Sequence, residues 1–500
     1  MILRPQPRDF KIIGFYLGKV ILGVAACMLI PMATSLATWE LNPLFDFIIS
    51  FLVCTILAST LYLFCYTTDE PKWVHGMIIV SFSWMLVALL GAIPLYLSGH
   101  YLSFLDAFFE AVSGFTTTGL TLAQDLGHMS YGHNIWRHLT MFMGGQGIVV
   151  IVLSFFVGGA SGSFRLYVGE GRDEQILPNI RETSRFIWMV SLTYLFLGTL
   201  LLGIMAIFAG LPFWKAMFHG ACVFMAAFDT GGFTPQQQNI AYYHSLAFEI
   251  MTLVFMILGI INFKLHYALW TGKRKEILKN IEIRTVLVSS LVIFSLIAIG
   301  LTKINAYPGA IAMFRKGFYQ LVSAHTGTGY ANIYCEQFIH EWGSLSLLGL
   351  ILAMSFGGCS CSTSGGIKAM RLGMITKVFI GDVRRHVAPE AAVFVDKFHH
   401  IKELILTDKQ IRAACLVTIA YISVYFFGAL IGMMCGYPFV ESLFESVSAA
   451  ANVGLSSGIT TPTMPVVLKV TYIVQMWAGR LEFISVFVLV GFIVALIKGK

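Results

Sequence analysis

Ten long apolar segments divide this chain, near 12–38, 43–66, 74–97, 136–158, 186–210, 245–270, 285–302, 343–379, 411–435 and 464–497. One helical crossing of a bilayer needs ~20 apolar residues, and most of the segments supply them. Lipid offers the backbone no hydrogen-bond partner, so each segment must satisfy its own N–H and C=O groups as a helix. Composition agrees: 57% of the side chains are hydrophobic and 12% charged, where a soluble domain carries roughly 25% charged residues. The expected fold is an all-α polytopic membrane protein with ten transmembrane helices. The basic N-terminus does not begin a signal peptide. Its apolar run, from Lys11 to about Trp39, far exceeds the ~7–15 residues of a signal core.

The net charge is +7, and its distribution says more than its sign. With the N-terminus inside, 26 of the 33 Lys and Arg fall on the inner side and six on the outer, and Arg480 is left within the last span. That asymmetry puts both termini in the cytoplasm and makes the span number even. Nucleic acid is not an expected partner. Cys27, Cys54, Cys65, Cys222, Cys415 and Cys435 lie in or beside apolar runs, and Cys359 and Cys361 lack CxxC spacing. The cysteines therefore read as packing residues. Trp39, Trp73 and Trp136 read as interfacial anchors.

Four shorter apolar stretches, near 102–115, 213–228, 310–324 and 438–451, cannot cross and are expected as re-entrant helices on the outer side. Each ends in a Thr-, Gly- or Asn-rich turn: FTTTGLTL, FDTGGFTP, HTGTGYAN and ANVGLSSG. Aligned on Gly119, Gly232, Gly329 and Gly454, three helices share one register. Phe109-Glu110, Tyr319-Gln320 and Phe444-Glu445 each precede a Val-Ser-small triplet (Val112-Ser113-Gly114 in the first). The second keeps Ala226 and Ala227, but its Phe218-His219 pair falls four residues early, as a one-turn insertion would produce. The chain thus divides into two N-terminal helices (1–70) and four span–pore helix–turn–span repeats, at 71–160, 180–272, 280–380 and 405–500.

Four such turns entering from one side around one axis describe a pore. Helix C-termini bring partial negative charge to it, and turn carbonyls can replace the hydration shell of an alkali cation. Glycine suits such a turn because it adopts φ > 0 without a Cβ clash. The expected lining is Thr117, Thr118 and Gly119; Thr230, Gly231 and Gly232; Gly327, Thr328 and Gly329; and Asn452, Val453 and Gly454. A glycine that merely ends a helix describes each turn too, but does not account for four.

The repeats resemble the superfamily of potassium transporters that includes TrkH, KtrB and the plant HKT proteins. GGCSCSTSGGIKAMR at 357–371 is similar to the family's glycine-rich stretch in the second span of the third repeat. WAGRLEFISV at 477–486 is similar to its GRLE motif in the last span. The similarity runs from about 74 to 497, and the two extra N-terminal spans resemble the TrkH branch. It implies K⁺ uptake across the bacterial plasma (inner) membrane, with K⁺ the transported ion on filter backbone carbonyls and no covalently bound cofactor. It implies a homodimer gated by a cytosolic TrkA-like nucleotide-binding subunit. It also links four filter glycines with K⁺ selectivity, since a serine at the first position goes with sodium permeation in the wider family. Asp229, His325 and the Cys-Ser-Cys of the glycine-rich stretch depart from the family pattern.

Arg480 at membrane depth costs at least roughly 2.5–3.5 kcal/mol and must face a cavity or a partner. The resemblance implies a place just below the filter, in the conduction path; a pair with Glu482 or a snorkelling position is the alternative. The 357–366 stretch holds Gly357, Gly358, Gly365 and Gly366. Each glycine costs a helix about 1 kcal/mol, and irregular backbone at this depth is tolerated where it lines a cavity. The stretch reads as a flexible flap over an inner vestibule, forming a gate with Arg480. Asp106, Glu110, Asp229 and Glu445 would lie near the outer mouth, attracting cations or, since Gln320 replaces the glutamate in one repeat, bonding within the helices. His219, His325, His399 and His400 form no metal-ligand pattern. The basic segment 368–412 would meet anionic membrane lipid or a regulatory subunit. Two rival functions remain: a K⁺ symporter coupled to H⁺ or Na⁺, and a membrane-embedded enzyme. HExxH, CxxC and Walker sequences are absent, and same-side repeats differ from the inverted repeats of coupled transporters.

Overall fold

A computed structural model of the chain describes residues 6–148, 166, 179–389, 392 and 394–498. Helices Pro7–Ala37 and Leu41–Phe64 form an opening hairpin. They pack closely enough that a β-carbon on Gly18 would stand 3.0 Å from the Ala58 carbonyl oxygen. These two, with Trp73–Leu97, Glu182–Phe208, Ile281–Lys303 and Asp408–Met434, are long and apolar enough to cross a membrane. Rows such as Leu192, Phe196 and Leu200, or Phe426, Phe427 and Leu430, stand exposed along them. Water would not tolerate apolar rows of that extent, and hydrocarbon does.

Each repeat is a long helix, a short pore helix and a second helix. In repeat 1 these are Trp73–Leu97, Phe104–Phe115 and Tyr131–Gln146. In repeat 2 they are Ile180–Phe208, Phe213–Phe228 and Leu246–Ile260. Repeat 3 has Ile281–Lys303, Ala310–Thr326 and Gly343–Ser355, and repeat 4 has Asp408–Met434, Phe439–Ala450 and Val466–Arg480. All four expected short helices are present. The insertion expected in the second is not. Its pore helix has 16 residues against 12 in repeats 1 and 4, but the extra turn lies at its start, as in the 17-residue helix of repeat 3. Val223 and Ala226 therefore occupy the places of Glu110 and Ser113.

The second helices are not the straight spans expected. Leu246–Ile260 turns by 103° into Phe263–Trp270, and Val466–Arg480 turns by 112° into Ile484–Lys498. In repeat 3 the interruption falls where it is expected, at the glycine-rich stretch between Gly343–Ser355 and Ala369–Val387. Tyr131–Gln146 stops at Gly147 (φ 90°), and 149–158 of its expected span lies outside the described residues. A packing contact fixes the level of three breaks. β-Carbons on Gly144, Gly259 and Gly479 would stand 1.7, 2.1 and 1.9 Å from the carbonyl oxygens of Phe115, Phe228 and Ala450. Those carbonyls end the pore helices of the same repeats, so each second helix lies directly on its pore helix just before it breaks. Among the described residues six helices qualify as uninterrupted crossings, or eight with the bent pairs counted.

Two further expectations change. Trp136 is no interfacial anchor: it is fully buried, and its Nε1 donates to the Gly91 carbonyl at 3.0 Å. Trp39 stays 85% exposed. The 368–412 segment is not simply a loop. It holds helix Ala369–Val387 and a two-stranded antiparallel hairpin, β1 (Lys397–His400) with β2 (Lys402–Ile405), closed tightly at Ile401 (φ 65°).

Candidate ion-conduction site

All four pore helices end in the same way. The N–H groups of Thr118, Gly231, Thr328 and Val453 reach back to the carbonyls of Ser113, Ala226, Ser323 and Ser448 at 2.8–3.0 Å. One residue earlier, Thr117, Thr230, Gly327 and Asn452 donate to Gly114, Ala227, Ala324 and Ala449 at 3.0–3.3 Å. This paired pattern terminates a helix through a left-handed residue. That residue is Thr117 (φ 54°), Thr230 (φ 52°), Gly327 (φ 75°) and Asn452 (φ 56°). The four aligned glycines are therefore not the helix ends. The chain returns to negative φ for one residue and then turns left-handed again at Gly119, Gly232, Gly329 and Gly454, with φ between 74° and 95°.

The second left-handed turn closes a ring. A β-carbon on Gly119 would stand 2.3 Å from the oxygen of Gly231, one on Gly232 2.1 Å from that of Thr328, and one on Gly329 2.0 Å from that of Val453. One on Gly454 would stand 2.1 Å from the oxygen of Thr118. Each glycine thus packs on the carbonyl of the next repeat, in the order 1, 2, 3, 4 and back to 1. Eight of the twelve residues expected to line the pore make these contacts, and the other four are the left-handed residues that precede them. Beyond the glycines lies a cavity of about 340 Å³ whose lining includes Gly119, Thr121, Asn239, Gly329, Gly454 and Ser456.

Side chains behind the ring hold it in place. Ser113 and Ser448 accept from the N–H of Gly119 and Gly454 through Oγ, at 3.1 and 3.0 Å. Asn452 donates to Thr118 Oγ1 at 3.0 Å, tying repeat 4 to repeat 1. The acids are all buried and serve as fasteners. Glu110 accepts from Leu122 N and Thr121 Oγ1, each at 2.9 Å, and pairs with Arg137 at 2.7 Å. Arg137 also stacks over Phe233 of repeat 2, 4.1 Å from the ring centroid. Glu445 accepts from Ser456, Ser457 and Thr460, and Gln320 donates to Asn332. Asp106 pairs with Lys469 at 2.5 Å. Asp229 caps the second pore helix, on the side of the ring away from the mouth, and accepts from Gln146 Nε2 at 2.7 Å.

On that side the glycine-rich flap is firmly fastened. Gly357 N donates to Ile367 O at 2.9 Å and Gly358 N to Ser364 Oγ at 3.0 Å, closing the loop on itself. Thr363 Oγ1 donates to the carbonyls of Phe228 and Gly259 in repeat 2, both at 3.0 Å. A β-carbon on Gly365 would meet Ala451 O at 2.3 Å, so this glycine permits contact with repeat 4. Gly366 supplies a left-handed turn (φ 69°). Arg480 does not take Glu482 as its close partner. It donates to Thr363 O of the flap at 2.5 Å and to Gly144 O of repeat 1 at 2.8 Å, while Glu482 pairs with Arg371. Gly365, Tyr421 and Arg480 help line a cavity of about 30 Å³, room for about one water-sized particle.

Among the described residues no three His, Cys, Asp or Glu come together to hold a metal. His219 and His325 are spent on Tyr243 Oη at 2.9 Å and Ser289 Oγ at 2.8 Å. The structure adds residues that the sequence reading passed over: Gly144, Gly259, Arg137, Lys469 and Arg371. Gly144 and Gly259 carried a signal, one small residue repeated before a break. Arg137 and Lys469 showed only as isolated charges in apolar surroundings, and Arg371 as one of the basic residues of 368–412.

The family model described as cation transport protein TrkH matches residues 43–496. An uncharacterized cation transporter of Methanocaldococcus jannaschii is 31% identical over 491 residues, which cover 98% of this chain and 97% of that one. The Trk system potassium uptake protein TrkG of Escherichia coli K12 is 28% identical, with 96% and 97% covered. Among solved structures, the potassium transporter TrkH from Vibrio parahaemolyticus superposes with a TM-score of 0.82 at 24% identity, covering 96% of this chain and 98% of that one. At that identity the likeness is one of fold.

Proposed function

Because the chain belongs to the TrkH family of cation transport proteins, we propose that it takes up K⁺ through the axis of the four-glycine ring, down the ion's electrochemical gradient. The observation that carries this reading is the cyclic contact of each glycine with the next repeat's carbonyl. Carbonyl oxygens of the filter turns, from Thr117 and Thr118, Thr230 and Gly231, Gly327 and Thr328, and Asn452 and Val453, would replace the waters of a dehydrated K⁺. The four pore-helix C-termini add partial negative charge. Relatives named for potassium uptake support K⁺ as the cargo.

The gate is the 357–366 flap latched by Arg480. The bonds of Arg480 to the flap and to Gly144 support a shut state, and its charge opposes a cation on the axis. We place the protein in the bacterial plasma membrane with both termini cytoplasmic, as a homodimer regulated by a TrkA-like nucleotide-binding subunit. Basic side chains on helix Ala369–Val387 would face that subunit or anionic lipid. The test is K⁺ and Rb⁺ flux into proteoliposomes, with and without an imposed pH or sodium gradient. Uptake should follow the K⁺ Nernst potential alone. Uptake driven by either imposed gradient would refute the channel reading in favour of coupled symport.

A further inference from the structure

Glu282 is a fully buried acid that the conduction path does not use. It stands in the first turn of Ile281–Lys303, where the helix N-terminus favours a carboxylate. Asn280 Oδ1 accepts from its backbone N–H at 2.8 Å. Its Oε1 accepts from the N–H of Ser360 in the flap at 2.6 Å, the short length of a charge-assisted bond. Its Oε2 lies 3.7 Å from Nδ1 of His400 in strand β1, and Asn280 Nδ2 donates to that same nitrogen at 3.1 Å. The neighbouring His399 hydrogen-bonds Glu276 at 2.8 Å, which holds the Glu276 carboxyl below its ordinary range.

Phe398 packs in a small core with Ile281, Met374 and Ala414, separate from the main one. Between hairpin and flap lies a cavity of about 320 Å³ lined by Ser360, Cys361, Arg371, His400, Gln410 and Glu482 among others. A loop that vacates the axis needs such a volume beside it.

We propose that Glu282 is a positioning residue for the flap, fastening it through Ser360 and linking it to the β1–β2 hairpin through Asn280 and His400. The proposal rests on the reading of the flap as the gate. Cys359 and Cys361 are buried in the flap, so their thiols report its release. The experiment labels full-length protein in proteoliposomes with a membrane-impermeant thiol reagent. Mass spectrometry reads the rate on the peptide holding both cysteines, beside regulator-free K⁺ flux and a thermal melt.

Glu282→Ala should label roughly tenfold faster, the loss expected for a hydrogen bond to a charged acceptor. Glu282→Gln, whose amide oxygen still accepts from Ser360, should stay near the parent rate. His400→Ala should give a smaller rise and add nothing when combined with Glu282→Ala. Unchanged labelling in a folded Glu282→Ala protein, Gln behaving as Ala does, or additive effects of Glu282→Ala and His400→Ala would each overturn the proposal. A lowered melt without faster labelling would reduce Glu282 to a structural residue and overturn it as well. Faster labelling with unchanged flux would uphold the role of Glu282 and instead refute the flap as the gate.

Discussion

At Gly119 one added carbon has nowhere to go, since backbone rather than a pliable side chain stands 2.3 Å away. Gly119→Ser should therefore displace the Gly231 carbonyl and admit Na⁺, and Gly119→Asp should abolish K⁺ uptake; ion-substitution flux assays read both. Arg480→Ala should raise K⁺ flux per folded protein and weaken its dependence on the regulatory subunit. Arg480→Lys should restore part of the barrier, because charge is the operative property. A stable Ala variant with unchanged or lower flux would defeat the latch. The glycines were legible because the turn recurs four times. The left-handed residues two places earlier were not, since a β-branched Thr with positive φ runs against local preference and persists only where its surroundings force it. The partner of Arg480 was equally hidden: Glu482 is nearer in sequence, but Arg371 claims it from another helix.

Among the elements, the pore helices are held from behind by buried polar pairs. Arg137→Met would strand the Glu110 carboxylate, both side chains being wholly inaccessible. Removing one partner of such a pair costs about 3–5 kcal/mol, so the melting temperature should fall clearly. Selectivity should fall with it, because Glu110 also holds Thr121 and Leu122 just past the filter. The short helices could be read from their length and their turns. The bends in the second helices of repeats 2 and 4 could not, because apolar residues continue straight through them, as in ILGIINFKLHYALW at 257–270. What bends the chain there is contact with a pore helix distant in sequence. The hairpin at 397–405 was hidden for a related reason: it is held by Glu276, Asn280 and Glu282, more than 110 residues away.

For the molecule as a whole, the seam between repeats 4 and 1 joins the most distant residues. Lys469 pairs with Asp106, Asn452 bonds Thr118, and Trp477 Nε1 donates to Ser81 O at 3.0 Å, all across more than 330 residues. Lys469→Met should cost about 3–5 kcal/mol by leaving Asp106 buried without its cation. Adding Asp106→Leu should recover much of the loss in thermal unfolding, a non-additivity expected of touching residues. That seam has a consequence for how the protein is made. Synthesis runs from the N-terminus, so repeats 1 to 3 reach the bilayer while Thr118 still lacks Gly454 and Gly329 still lacks Val453. The circle of glycine–carbonyl contacts then lacks two of its four links. Only arrival of the last repeat completes it, so a copy truncated before repeat 4 should carry no K⁺ flux in proteoliposomes.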